Sequence, residues 1–320
     1  MDVVCIGEAL IDFVSRQPGE TLVTATQYTA ATGGAPANVA AGLAKLGRQA
    51  QLIATVGRDA FGRKIERDLQ ALGVHCLLRV DPDHFTTLAF VKQEVSGQHE
   101  FEFYPGAHDY LYPAQVSAEV ITAARVLHYG SISLRTDPAR AATLAALRIA
   151  RENGVVTSCD PNWRPHLWPD QETGLNVMRM AIARADVLKI SRGDLAILAP
   201  EYGDDFRAAL EAAGFRGKLA AVTLGRDGAW YCAGEREGQV PSPSVRVVET
   251  TGAGDAFVAA LLDGLLAYDL SIEAIDDEAL RAIVQRACAA GALTTTGYGA
   301  IPSLPDAVSL DALLRMVGTR

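Results

Sequence analysis

The segment Glu249-Thr250-Thr251-Gly252-Ala253-Gly254-Asp255-Ala256-Phe257 puts two glycines and a carboxylate at the entrance to an apolar helix. Glycine lets a backbone approach a ligand closely, and the first amides of a helix have no intrahelical acceptors, so this stretch can cradle an anion. Asp255 would repel that anion and needs another task. Accepting a proton from the nucleophile that attacks a phosphorus atom is such a task. The spacing therefore points to phosphoryl transfer, with Asp255 as base and the Gly252, Ala253 and Gly254 backbone as phosphate cradle. The competing reading is a helix-entry turn capped by Asp255.

Gly33-Gly34-Ala35-Pro36-Ala37-Asn38 sets two glycines before a proline suited to a first helical turn, so a small polar ligand can come close to Gly33 and Gly34. Asn38 offers a donor and an acceptor. With Asp12, which can accept from two hydroxyls, it suits a sugar or polyol, although the glycines alone could be helix punctuation. Asp160-Pro161-Asn162-Trp163-Arg164 gathers an acid, an amide and a guanidinium at a strand end. Arg164 could clamp a phosphate or substrate oxygen, or could belong to a salt-bridged rim. Lys189-Ile190-Ser191-Arg192-Gly193-Asp194 offers Asp194 as an outer-sphere magnesium ligand or as a surface acid. Thr223-Leu224-Gly225-Arg226-Asp227-Gly228 is suited to a nucleotide-phosphate turn or a plain β-turn. Gly57–Gly62 reads as structural, with Asp59 capping a helix that begins near Phe61.

Short apolar runs and amphipathic stretches alternate along most of the chain. Strands are expected at Val3–Ile6, Leu52–Val56, Val126–Tyr129, Val155–Cys159, Val187–Ile190 and Leu219–Leu224. Helices are expected at Pro36–Leu46, Phe61–Leu72, Pro138–Asn153, Thr173–Arg184 and Ala256–Leu266. That order predicts an α/β fold whose mostly parallel sheet is covered by helices on both faces. Thr21–Thr29 and Thr87–Tyr104 alternate with period two and predict a small separate sheet, with a hairpin turn at 95–99. Ligands of open parallel sheets sit outside the carboxyl ends of the strands, where the loops named above can converge. Nothing divides the chain into independent units, so 1–320 is read as one domain with lid segments near 13–32 and 86–112.

A net charge of −9 and the lack of a Lys/Arg run argue against nucleic acid, and no stretch has the length of a membrane span. Five scattered cysteines without CxxC spacing argue against a disulfide framework or zinc site, and the N-terminus does not read as a signal peptide. The expected setting is the cytoplasm.

Assembled, these segments resemble the ribokinase-like carbohydrate kinases, the PfkB family, and among them the bacterial fructokinases. The resemblance runs from Gly7-Glu8-Ala9-Leu10-Ile11-Asp12 to Gly299-Ala300-Ile301-Pro302, and Thr250–Asp255 matches the family's C-terminal signature. It implies a Rossmann-like three-layer core with a β lid, ATP and Mg²⁺ as cosubstrates, K⁺ as an activator in some members, and a homodimer through the lid. It further implies that Asp255 is the base and that the Gly252–Gly254 amides form the anion hole. Asp12, Gly33, Gly34, Asn38 and Arg164 would contact the sugar. Ser191, Thr223, Gly225, Gly228, Cys288, Ala289 and Ala292 would lie along ATP. The expected reaction is D-fructose to fructose 6-phosphate. The alternative is a 2-keto-3-deoxygluconate kinase, which shares part of the DPNWR pattern. A noncatalytic sugar- or nucleotide-binding protein is the alternative from another class. The chain departs from the pattern at Glu249, usually Asp and associated with a monovalent cation, at Ser191–Asp194 in place of NxxE, and at Cys288 in place of Asn.

Overall fold

The strands follow from runs such as VVCI, in which alternate side chains enter opposite cores. Val3 and Cys5 join one apolar cluster, Val4 and Ile6 the other. The computed structural model describes residues 1–15, 20–93 and 99–318. Its strands are β1 (Val3–Ile6), β2 (Leu10–Ser15), β3 (Thr29–Gly33), β4 (Ala50–Gly57), β5 (His75–Asp81), β6 (Leu88–Gln93), β7 (His99–Tyr104), β8 (Val126–Gly130), β9 (Val156–Asp160), β10 (Val187–Ser191), β11 (Leu219–Thr223), β12 (Ala229–Ala233) and β13 (Arg236–Val240). Its helices are α1 (Ala35–Lys45), α2 (Ala60–Ala71), α3 (Ala118–Thr122), α4 (Ala139–Glu152), α5 (Gln171–Ile182), α6 (Arg192–Leu198), α7 (Phe206–Ala212), α8 (Ala253–Leu266), α9 (Asp277–Thr294), α10 (Ala300–Ser303) and α11 (Ala307–Gly318).

Nine strands form the large sheet in the order β13-β12-β11-β10-β9-β8-β1-β4-β5. Every neighbouring pair from β11 to β5 is parallel, and β12 and β13 add an antiparallel edge. One core packs α1, α8 and α9 against the sheet, and the other packs α4, α5, α6 and α7 against its opposite face. The strand order reverses direction between β1 and β8, the kind of crossing where an open α/β sheet leaves a crevice at its carboxyl edge. Apart from Asp255 and Asp263, α8 is apolar on nearly all sides because it lies between α1 and α9: a methyl group on Gly42 of α1 would approach Ala259 Cβ to 2.8 Å.

The second sheet has four strands in the order β3-β2-β6-β7. β2 and β6 pair in parallel, and the outer pairs are antiparallel. It differs from expectation in one strand. Thr21–Thr29 joins the sheet only at Thr29: Thr24 and Ala25 donate to Thr21 O in a turn, and Val23 is 88% exposed. The pairing partner comes from earlier in the chain, since Leu10–Ser15 forms the central strand β2 and β3 begins only at Thr29. Asp12 therefore stands on a strand, not in a loop. The expected turn at 95–99 lies almost wholly outside the described residues, and β7 starts at its last residue. β5, β12 and β13 are additional to the expected strands; β5 and β13 mix exposed and buried residues and lack the continuous apolar runs of the interior. Asp59 does cap α2, accepting from Gly62 N at 2.8 Å.

Candidate active site

Two cavities open at the carboxyl edge of the large sheet, of about 700 and 710 Å³. The first lies under the small sheet and is lined by Glu8, Asp12, Gly34, Asn38, Arg164, Ser191, Asp194, Gly252 and Asp255, among others. The second is lined by Gly225, Gly228, Ala253, Cys288 and Ala292. Thr223, Thr250 and Gly254 line both, so the N-terminal turn of α8 stands where the two cavities meet.

That turn is built by Gly252. It adopts φ 82°, in the left-handed region, and a side chain there would bring Cβ to 2.7 Å from Ala300 Cβ. α8 starts at Ala253, earlier than expected, which places Asp255 inside its first turn. Ala253 N donates to Thr250 O, whereas the Gly254 and Asp255 amides have no carbonyl partner in the preceding turn. Of the Gly252, Ala253 and Gly254 amides expected to form the cradle, that of Ala253 is taken by the turn, while those of Gly254 and Asp255 stand at the helix entrance without a backbone acceptor.

Asp255 is 8% exposed, and its Oδ2 accepts from Asn38 Nδ2 at 2.8 Å. Burial pushes its carboxyl up to about 6, against the Asn38 amide, which favours the charged form. Asp12 reaches the same cavity from β2, and burial together with the Glu249 and Asp255 charges pushes it up to about 7. Gly33 makes room for it, because a methyl group there would sit 2.1 Å from Asp12 Oδ2. Gly34, at φ 103°, lets the turn into α1 pass against the Glu8 carbonyl.

The sequence reading overlooked Glu8 and the pair formed by Asp160 and Lys189. Glu8 ends the turn after β1, and Lys189 interrupts the apolar run of β10. A charged residue at the carboxyl end of a buried strand was the signal available for each. Lys189 Nζ lies 2.8 Å from Asp160 Oδ2, with side chains 6% and 2% exposed. Burial opposes the lysine's charge, but Asp160 outweighs it and holds its pKa above the ordinary value. The ammonium packs against Gly254, whose missing Cβ would lie 2.7 Å from Nζ.

Arg164 donates to Trp163 O and faces the cavity. Ser191 caps α6 by accepting from Asp194 N at 3.0 Å and lines the first cavity, away from the nucleotide positions expected for it. Asp194 lies beside it, its pKa raised by burial. Glu249 is 3% exposed, accepts from Gly299 N at 2.8 Å and lines neither cavity. Ala289 is fully buried in the core and does not line the second cavity, whereas Cys288 and Ala292 on the same helix do. Among the described residues, no group of three or more His, Cys, Asp or Glu converges as a metal cage. A site with carboxylates such as Asp194 but no three-ligand cage fits magnesium, which keeps several waters and is held by one or two carboxylates together with substrate phosphates.

A crevice at the strand edge, unpaired amides at a helix N-terminus and a buried carboxylate beside a polar cavity suit a phosphotransferase of the sugar-kinase type. The chain belongs to the pfkB family of carbohydrate kinases, matching the pfkB family carbohydrate kinase profile over residues 1–307. It is 39% identical to Fructokinase-2 of Solanum lycopersicum over 316 residues, 98% of this chain and 96% of that protein. Its fold is similar to that of the fructokinase from Xylella fastidiosa solved with bound ATP, at TM-score 0.88 and 29% identity, covering 99% of both chains. It is also similar to the fructokinase from Vibrio cholerae O395 solved with fructose, ADP and calcium, at TM-score 0.84 and 31% identity, covering 98% of this chain and 99% of that one.

Proposed function

We propose that the protein is an ATP-dependent fructokinase that converts D-fructose to fructose 6-phosphate, with Asp255 as general base. The observation that carries this reading is the position of Asp255, hydrogen-bonded to Asn38 and standing on the helix turn shared by the two cavities. Fructose occupies the first cavity, where Asp12 and Asn38 meet its hydroxyls, and ATP lies in the second, along Thr223, Gly225, Gly228, Cys288 and Ala292. The sugar's primary hydroxyl oxygen attacks the γ-phosphorus, its proton passes to Asp255, and the bond from that phosphorus to the β–γ bridging oxygen breaks, releasing ADP. Negative charge on the phosphoryl oxygens is met by the Gly254 and Asp255 amides, by Lys189 and by Arg164. Magnesium, which Asp194 would help hold through water, supplies further neutralisation of the phosphate charge.

The small sheet serves as a lid that excludes water when it closes. Its Phe13 and Phe90 rings stack at 5.0 Å and Tyr104 is 47% exposed, so a second copy pairing on this aromatic layer gives the homodimer we assign. No helix among the described residues is long and apolar enough to cross a membrane. The five cysteines are all unpaired, which suits the reducing cytoplasm to which we assign the protein. The test is a coupled ADP-release screen of hexoses, ketoses, nucleosides and sugar acids, with and without potassium. Fructose should give the highest kcat/KM. A chain that binds fructose in calorimetry but releases no ADP with any sugar overturns the reading.

A further inference from the structure

Glu8 stands at the carboxyl end of β1, where the chain leaves the large sheet for the small one. It is 2% exposed and lines the first cavity. Its Oε1 accepts from the amide of Ala35, the first residue of α1, and so helps fix the helix that carries Asn38. Its Oε2 is buried without a hydrogen-bond partner, as is Asn38 Oδ1. A buried carboxylate with half its acceptors unused costs folding free energy. A neutral glutamine could hold the Ala35 amide equally well, so the turn does not explain the charge.

The charge balance of the cavity supplies an explanation. Its lining contains the carboxylates of Glu8, Asp12, Asp194 and Asp255 against the cations of Arg164 and Lys189. Lys189 is already paired with Asp160. Arg164 donates to Trp163 O and is the cation that stands against these four carboxylates, so the lining keeps a net negative charge toward a carboxylate on a substrate. Burial pushes Glu8 up to about 7, level with Asp12, so a further carboxylate would be repelled or would force a proton onto one of them. Hydroxyl groups, by contrast, can donate to carboxylates at no electrostatic cost.

We infer that Glu8 is a specificity-determining residue that makes this cavity select neutral polyhydroxy sugars and reject sugar acids. The inference rests on the sugar-kinase reading above and extends it to the charge of the substrate. Specificity of this kind comes from a repulsive element built against the wrong ligand.

The test uses Glu8→Gln, which keeps the side chain's shape and an acceptor for Ala35 while removing the charge. Fructose and a 2-keto-3-deoxy sugar acid are compared by ADP release in wild type and variant, with thermal unfolding run on both. The ratio of kcat/KM for fructose to that for the acid should fall at least about tenfold in the variant, with the gain on the acid residing in a lower KM. An unchanged ratio in a folded variant overturns the inference. If the variant does not fold, the wild type decides the matter by competition between a neutral ketose analogue and the matching acid. The acid should bind at least about tenfold more weakly, and equal inhibition constants overturn the inference. Absence of ADP release with every sugar counts against the kinase reading alone, since calorimetry of the same two ligands still tests Glu8.

Discussion

Asn38 Nδ2 donates to Asp255 Oδ2 at 2.8 Å, a bond that ties the first turn of α1 to the first turn of α8 across 217 positions of sequence. It leaves Asp255 Oδ1 to receive a proton and orients the carboxylate toward the cavity that Asn38 also lines. The carboxylate we propose as the base is thus fixed by two helices at once.

Replacing Asp255 by Asn should lower kcat at least about a hundredfold while sugar KM changes little, because the amide keeps the shape and loses the basicity. Steady-state kinetics check this. Near-wild-type turnover would remove Asp255 from the role of base.

The pH profile follows from the value of about 6 for Asp255, which must be ionised to act. kcat/KM should fall about tenfold per unit as pH drops below that value. Stability runs the other way. Glu8, Asp12 and Asp255 all titrate in the folded chain above the ordinary carboxyl range, so the fold holds more protons than the unfolded chain between about pH 4 and 7 and loses stability as pH rises through that window. Asp12→Asn should accordingly raise Tm more at pH 8 than at pH 4, by about 2–4 °C per kcal/mol relieved. Calorimetric scans at the two pH values measure it.

Gly252→Ala forces a side chain into a left-handed conformation, at about 1–2 kcal/mol, and drives it against Ala300. The N-terminal turn of α8 shifts in consequence, and kcat should drop by about 10²–10³ as the anion-facing amides lose alignment. Unfolding and kinetics should both respond. A loss of stability with intact turnover would separate the turn from the chemistry.

Lys189→Met leaves the Asp160 carboxylate buried without its cation, which should cost about 3–5 kcal/mol of stability. Adding Asp160→Asn should recover most of that loss, although turnover should stay depressed. Chemical denaturation of the two single variants and the double variant gives the coupling.

Asp194→Asn should raise the divalent-ion concentration needed for half-maximal turnover by about tenfold, with KM for fructose little changed. Titration of magnesium into chelator-treated enzyme reads this directly.

The sequence alone determined the α/β core, because continuous apolar runs such as VVCI and LAAVT alternate with amphipathic stretches, and this period survives whatever the rest of the chain does. It also marked Asp255, Asn38 and their glycines, since backbone turns that need glycine are local. Tertiary structure decided what depends on long-range pairing. Leu10–Ser15, not Thr21–Thr29, became the centre of the small sheet, because strand choice there is settled by partners in β3 and β6. It also decided which carboxylates share one low-dielectric space. Asp255 raises both Glu8 and Asp12 only because the turn after β1, strand β2 and the first turn of α8 converge at the edge of the sheet, and no local pattern records that convergence. Ala289 and Cys288, neighbours on α9, go to the core and to the cavity respectively because a helix turns each successive side chain by about 100°.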